Sequence, residues 1–229
     1  MKITAFARAA AGVGALLLGA CDTVPTGTSP FTDQVEGIDV SHWQGTIDWN
    51  AVAADRVDFA FIKATEGGDY TDPRFAANWT ASARAGIPRG AYHFYRPQTD
   101  AAVQADLFLR VVQPQAGDLP PVLDVEVTDG RSAQAIAAGV RTWMQRVEQA
   151  TGRRPILYVR AGFWNQNVGA AMPEYPLWVA HYDVVEPAIP AGWSRWTFWQ
   201  YSQTGRVAGI TGDVDLNHFA GTRQELRGL

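Results

Sequence analysis

From residue 36 onward, eight short apolar runs recur: EGIDVS (36–41), VDFAFIKAT (57–65), PRGAYHFY (88–95), PPVLDVEV (120–127), RPILYVRA (154–161), LWVAHYD (177–183), TFWQYS (197–202) and DVDLNHF (213–219). Runs of this length and composition read as strands. Between the earlier ones lie segments of helical character at 72–86, 99–113 and 132–152, the last opening on Ser132 as a cap and closing on Gly152 ahead of Pro155. Strand followed by helix, repeated, calls for parallel pairing with right-handed crossovers. The connections at 183–196 and 204–212 are too short, or too rich in Gly and Pro, for full helices. The expected fold is α/β, a TIM-like barrel that is regular in its first half and stripped of helices around its last three strands.

In such barrels the C-terminal ends of the strands carry the functional residues. Those ends hold Asp39, Tyr92, Phe94, Asp124, Glu126, Tyr158, Trp178, Tyr182, Gln200 and Asp215. In PPVLDVEV, Asp124 and Glu126 interrupt a valine and leucine run and share one face of the strand, because side chains alternate. Paired carboxylates beside aromatic platforms suit cleavage of a glycosidic bond. One acid stays protonated and gives its proton to the leaving oxygen, while the others stabilise positive charge on the sugar ring. The competing structural reading bonds Asp124 and Glu126 to a barrel-lining Lys63 or to backbone amides. It accounts poorly for four acids gathered on three strand ends. A metal hydrolase is the other alternative, since His42, His93, His181 and His218 also lie near strand ends. No pair of them has the HxH or HExxH spacing of a familiar metal motif. Of the nine tryptophans, Trp49, Trp79, Trp143 and Trp164 are expected in packing. Trp178, and after it Trp43 and Trp199, are candidates for sugar contact.

The beginning of the chain has a different character. MKITAFAR carries Lys2 and Arg8, and the apolar stretch after it is too short for a stable membrane anchor, so residues 1–20 read as an export signal. Leu18-Gly19-Ala20-Cys21 resembles the lipobox of bacterial lipoproteins, and Cys21, the sole cysteine, is the expected lipid attachment point. Residues 21–35 then form a flexible tether rich in Pro, Gly, Ser and Thr, and 36–229 form the domain. Loss of Lys2 and Arg8 leaves 17 basic residues of the 19, against 23 acidic, a formal charge of −6. With no basic cluster, that balance excludes nucleic acid as a partner.

GIDVSHWQG (37–45), FIKATEG (61–67), RGAYHFYR (89–96), LDVE (123–126), LWVAHYD (177–183), WQYS (199–202) and DVDLNHF (213–219) together resemble the lysozymes of glycoside hydrolase family 25. The resemblance implies an irregular (β/α)5(β)3 barrel. It also implies N-acetylmuramidase activity on the β-1,4 bond between N-acetylmuramic acid and N-acetylglucosamine of peptidoglycan glycan strands, with no cofactor and no metal. Carried over, the catalytic acid falls on Glu126 and its partner carboxylate on Asp124. Asp39 and Asp215 match the remaining acids, and Tyr92, Trp178 and Gln200 match groove positions. Retaining, inverting and substrate-assisted routes all stay open. A lipid-anchored peptidoglycan-binding protein without turnover, and a metal-dependent cell-wall hydrolase or deacetylase, are the alternatives. The expected setting is the cell envelope, as a monomer held on a bacterial membrane through Cys21.

Overall fold

The computed structural model describes residues 34–229, so the expectations for the signal, Cys21 and most of the tether lie outside the described residues. The elements run β1 (Val35–Val40), a 3-10 turn (His42–Gln44), α1 (Trp49–Ala54), β2 (Phe59–Glu66), β3 (Tyr70–Thr71) and α2 (Phe75–Arg84). Then come β4 (Arg89–Phe94), α3 (Ala101–Val112), β5 (Val122–Asp124), α4 (Ala133–Thr151) and β6 (Ile156–Arg160). The chain ends with α5 (Ala161–Asn167), β7 (Leu177–Ala180), β8 (Phe198–Gly205), β9 (Val214–Phe219) and α6 (Arg223–Arg227). Each of the eight sequence runs becomes a barrel strand, and β3 is a short hairpin arm on β2. Pairing of β1 with β2 closes the barrel.

The helices follow their local signals. Ser132 accepts from the Ala135 amide and Gly152 takes the left-handed C-cap of α4 at φ 67. Asp100 caps α3 through the amides of Ala102 and Val103. Short helices α1, α5 and α6 add to the three read from sequence.

Two expectations need correction. The last strand is not parallel: β9 runs antiparallel to both β8 and β1. The eight residues 206–213 after β8 are too few for a crossover, which takes a dozen or more, so the chain turns straight back. The start of β9, not its end, therefore lies at the mouth, and Asp215 sits directly opposite Asp39. The fourth strand is also shorter than the run 120–127, because β5 ends at Asp124. Beyond it the Val125 amide still donates to the Tyr158 carbonyl at 3.0 Å, which leaves Glu126 on the rim.

Two buried apolar clusters follow the period of two along the strands. One fills the barrel with Val35, Phe59, Phe61, Val122, Ile156, Tyr158, Trp178, Phe198 and Phe219. The other lies outside and joins Ile38, Val40, Ala60, Ile62, Leu157 and Val159 to Phe108, Trp143 and Met144 of the helices. Glycine makes room where rings would collide: a Cβ on Gly37 would stand 2.4 Å from the Phe59 ring. Gly37→Ala is expected to cost about 1–3 kcal/mol as an overpacked core, a fall in Tm of about 2–12 °C. Gly162→Ala, whose Cβ meets nothing within 4 Å, should hold or raise the Tm in the same melting experiment.

Candidate active site

The interior rows change character toward the mouth. On β1 the inward positions read Val35, Gly37, Asp39; on β2, Phe59, Phe61, Lys63; on β6, Ile156, Tyr158, Arg160; on β8, Phe198, Gln200. Apolar rings fill the bottom and polar groups the top. The result is a groove of ≈ 250 Å³ lined by Asp39, Tyr92, Phe94, Asp124, Glu126, Tyr158, Trp178, Tyr182, Gln200 and Asp215. The ten candidates read at the strand ends are thus all on the walls or the floor of a single groove.

The floor is a directional hydrogen-bond network. Tyr158 and Tyr182 donate their hydroxyls to Gln200 Oε1 at 2.7 and 2.6 Å, which turns the amide so that Nε2 donates to Asp39 Oδ2 at 2.8 Å. From the other side Trp178 Nε1 donates to Asn217 Oδ1, and Asn217 Nδ2 donates to the same Asp39 oxygen, both at 2.8 Å. Trp178 is 2 % exposed, so its contribution to the groove is mainly this anchoring.

The four acids form two pairs. Asp39 and Asp215 stand directly opposite each other across the β1–β9 ladder. Burial pushes Asp39 up to about 6 despite the amide donors from Asn217 and Gln200, and burial together with the Asp39 charge raises Asp215 to about 8. Asp124 is held well above the usual carboxylate range, first by burial and then by the neighbouring Glu126 carboxylate. Its Oδ1 is buried with no donor among the described residues. Carboxyls so close oppose each other's ionisation, which adds to the effect of burial on Asp124 and Asp215.

Glu126 is not in the apolar surroundings expected from its run. Its side chain is 23 % exposed and Oε2 stands 3.2 Å from Arg160 Nη2. Lys63 does not bond either acid of that pair. Its Nζ is 2.7 Å from Glu66 Oε2 and lies over the Phe94 ring. Arg160 and Asn217 were missed, although they follow the recognised inward residues Tyr158 and Asp215 by two positions; Lys63, read as barrel-lining, does line the groove. Trp43 lines the rim at 82 % exposure. Trp199 is no groove residue: it points out of the barrel and donates Nε1 to the His181 carbonyl.

None of the four histidines lines the groove. His93 is buried between Thr65 Oγ1 at 2.7 Å and Gln104 Oε1 at 2.9 Å. Its Nε2 carries the proton toward Gln104, and burial lowers its pKa to about 4. His42 bonds Asp72, His218 stands against Glu36, and His181 Nδ1 accepts from the Ala188 amide.

The sequence profile of the Glycosyl hydrolases family 25 matches residues 38–210. Lysozyme M1 of Streptomyces globisporus is 44% identical over 211 residues, covering 86% of this chain and 72% of that protein. The N,O-diacetylmuramidase of Chalaropsis sp is 33% identical over 202 residues, covering 79% of this chain and 96% of that protein. Among solved structures, the bacterial lysozyme from Streptomyces coelicolor superposes with a TM-score of 0.83 at 43% identity, over 87% of this chain and 98% of that one.

The pH dependence of stability follows from the raised carboxyls. In the unfolded chain they titrate near 3.8, whereas folded Asp39 and Asp215 hold protons to about 6 and about 8. The folded state therefore binds more protons, and the stability these groups contribute is present at acid pH and lost as pH rises through 6 to 8. Thermal melts at pH 5 and pH 8 should show the lower Tm at pH 8, and Asp215→Asn should narrow that difference.

Proposed function

The chain belongs to the glycosyl hydrolases of family 25 and is a peptidoglycan hydrolase of the lysozyme, or muramidase, type; from that premise we propose that Glu126 donates the proton that cleaves the glycosidic bond. The observation that carries this reading is the convergence of Asp39, Asp124, Glu126 and Asp215 on one groove, with Glu126 the acid at its open rim. The Asp124–Glu126 pair retains a proton, and Glu126 delivers it to the leaving oxygen. Negative charge is then left on Asp124, beneath the sugar that becomes cationic.

In this reading the substrate's own 2-acetamido oxygen attacks the anomeric carbon, with Asp124 orienting the amide and, once its proton has passed on, balancing its charge. Glu126, having given up its proton, takes one from the water that opens the cyclic intermediate. Asp39, fixed from below by Gln200 and Asn217, and Asp215 directly opposite it on β9 supply the other wall. Tyr92, Phe94, Tyr158, Trp178 and Tyr182 line the space for the sugar.

Residues 1–20 serve in this reading as an export signal, Cys21 carries the lipid, 21–35 are the tether and 36–229 the catalytic domain. The lipobox-like Leu18-Gly19-Ala20-Cys21 supports that placement, which sets a monomeric enzyme on the outer side of a bacterial membrane.

Glu126→Gln should fold as the wild type and lose turnover on purified peptidoglycan by a factor on the order of 10² to 10⁴; near-wild-type turnover would remove Glu126 from the role. Mass spectrometry of the released fragments should find N-acetylmuramic acid at the new reducing ends, where a glucosaminidase would leave N-acetylglucosamine. Cell fractionation tests the anchor: Cys21→Ser should move from the membrane to the soluble fraction, and continued membrane partitioning would place the anchor elsewhere.

A further inference from the structure

Among the described residues, Lys63 and Arg160 are the two cationic side chains that line the groove. They are placed very differently. Lys63 is engaged, its side chain 11% exposed and its Nζ 2.7 Å from Glu66. Arg160 is at the end of β6, its side chain 54% exposed, with one nitrogen 3.2 Å from Glu126 and its guanidinium 6.0 Å from the Tyr182 ring centroid. With a single nitrogen–oxygen approach to Glu126, a half-exposed guanidinium and, among the described residues, only the Tyr158 hydroxyl as a further polar partner, the ion pair is weak, so Arg160 can exchange that carboxylate for another at little cost. Its planar fork of donors suits a carboxylate.

The substrate brings such a group. Each muramic acid carries a lactyl ether whose carboxyl is either free or extended by a stem peptide with carboxylates of its own. The rest of the groove presents four carboxyls, which repel an anion wherever no cation intervenes. Resting on the muramidase reading, we propose that Arg160 is a specificity residue that binds a carboxylate of the muramic acid substituent as the glycan seats. In doing so it releases Glu126, whose carboxyl is then free to face the glycosidic oxygen. Recognition of the correct sugar and presentation of the acid are one movement of one side chain.

Steady-state kinetics of the wild type, Arg160→Gln and Arg160→Lys on three substrates test this. The substrates are glycan strands with intact stem peptides, strands stripped by an amidase to expose the lactyl carboxylate, and stripped strands whose carboxyls are converted to methylamides by carbodiimide coupling. For Arg160→Gln, KM should rise on carboxylate-bearing strands by a factor on the order of tenfold beyond any rise on the methylamide strands, and Arg160→Lys should recover part of it. A selective loss on peptide-bearing strands alone assigns the stem-peptide carboxylate; one that includes the stripped strands assigns the lactyl carboxylate. Equal losses on all three substrates, or a fall in kcat with KM unchanged, would overturn the proposal, because Arg160 would then act only through Glu126. If the wild type cut none of the three, the muramidase reading itself would fail and this proposal with it, an outcome distinct from an active wild type with an unselective variant.

Discussion

A closed barrel must send every second side chain of every strand inside, and this one fills its bottom with rings before any polar residue can enter. Phe59, Phe61, Phe198 and Phe219 occupy the lower interior, with Phe59 and Phe198 centred 5.2 Å apart. Polar inward positions are left only at the mouth, where Asp39, Lys63, Asp124, Arg160, Gln200 and Asp215 meet. Moving any strand by one residue would exchange its inward and outward sets and put rings at the mouth or acids against the helices. Placement of the groove and formation of the core are therefore the same event.

The acids gathered this way are desolvated, and how each pair is supported differs. Asp39 accepts from Gln200 and Asn217, whose orientations are fixed in turn by Tyr158, Tyr182 and Trp178. In a buried network of this kind each bond fixes the orientation that the next one needs. Asp124 has the opposite surroundings, with one oxygen lacking a donor and the other against Glu126. One wall of the groove is thus held in place by hydrogen bonds while the other keeps a transferable proton, a division suited to a general acid beside a fixed electrostatic partner.

Much of this was legible from the residues. The strand runs located all eight barrel strands, and Ser132 and Gly152 marked helix ends that the structure keeps. The ten groove candidates fell on strand ends and meet in one place. What escaped was of two kinds. The antiparallel course of β9 is set by the shortness of the 206–213 connection, a tertiary consequence that strand patterning does not register. Arg160 escaped because a charged residue two positions beyond an inward aromatic reads as solvent-facing unless the barrel's alternation is carried one step further. The same omission hid the surroundings of Glu126, whose closest charged neighbour lies on a different strand.

The misplacement of Trp199 has a more general cause. Helices α2 to α5 pack against β2, β4, β5 and β6, so the outer face of β8, β9 and β1 must be shielded in another way. Aromatic side chains do it: Trp199 meets Trp196 at 6.0 Å and Tyr201 at 5.9 Å, and Tyr201 stacks on His218 at 4.1 Å and 14°. Beneath them Glu36 is 1 % exposed, its Oε1 2.6 Å from His218 Nδ1. In WQYS, then, Trp199 and Tyr201 seal the helix-free wall while Gln200 alone reaches the groove. An aromatic-rich strand in a sugar-cutting barrel has two uses for its rings, inside for substrate and outside for closure, and only the parity set by a neighbouring polar residue tells them apart. Here Gln200, bonded to Asp39, supplies that parity, and it assigns the rings of β8 on either side of it to the stability of the barrel and not to its chemistry.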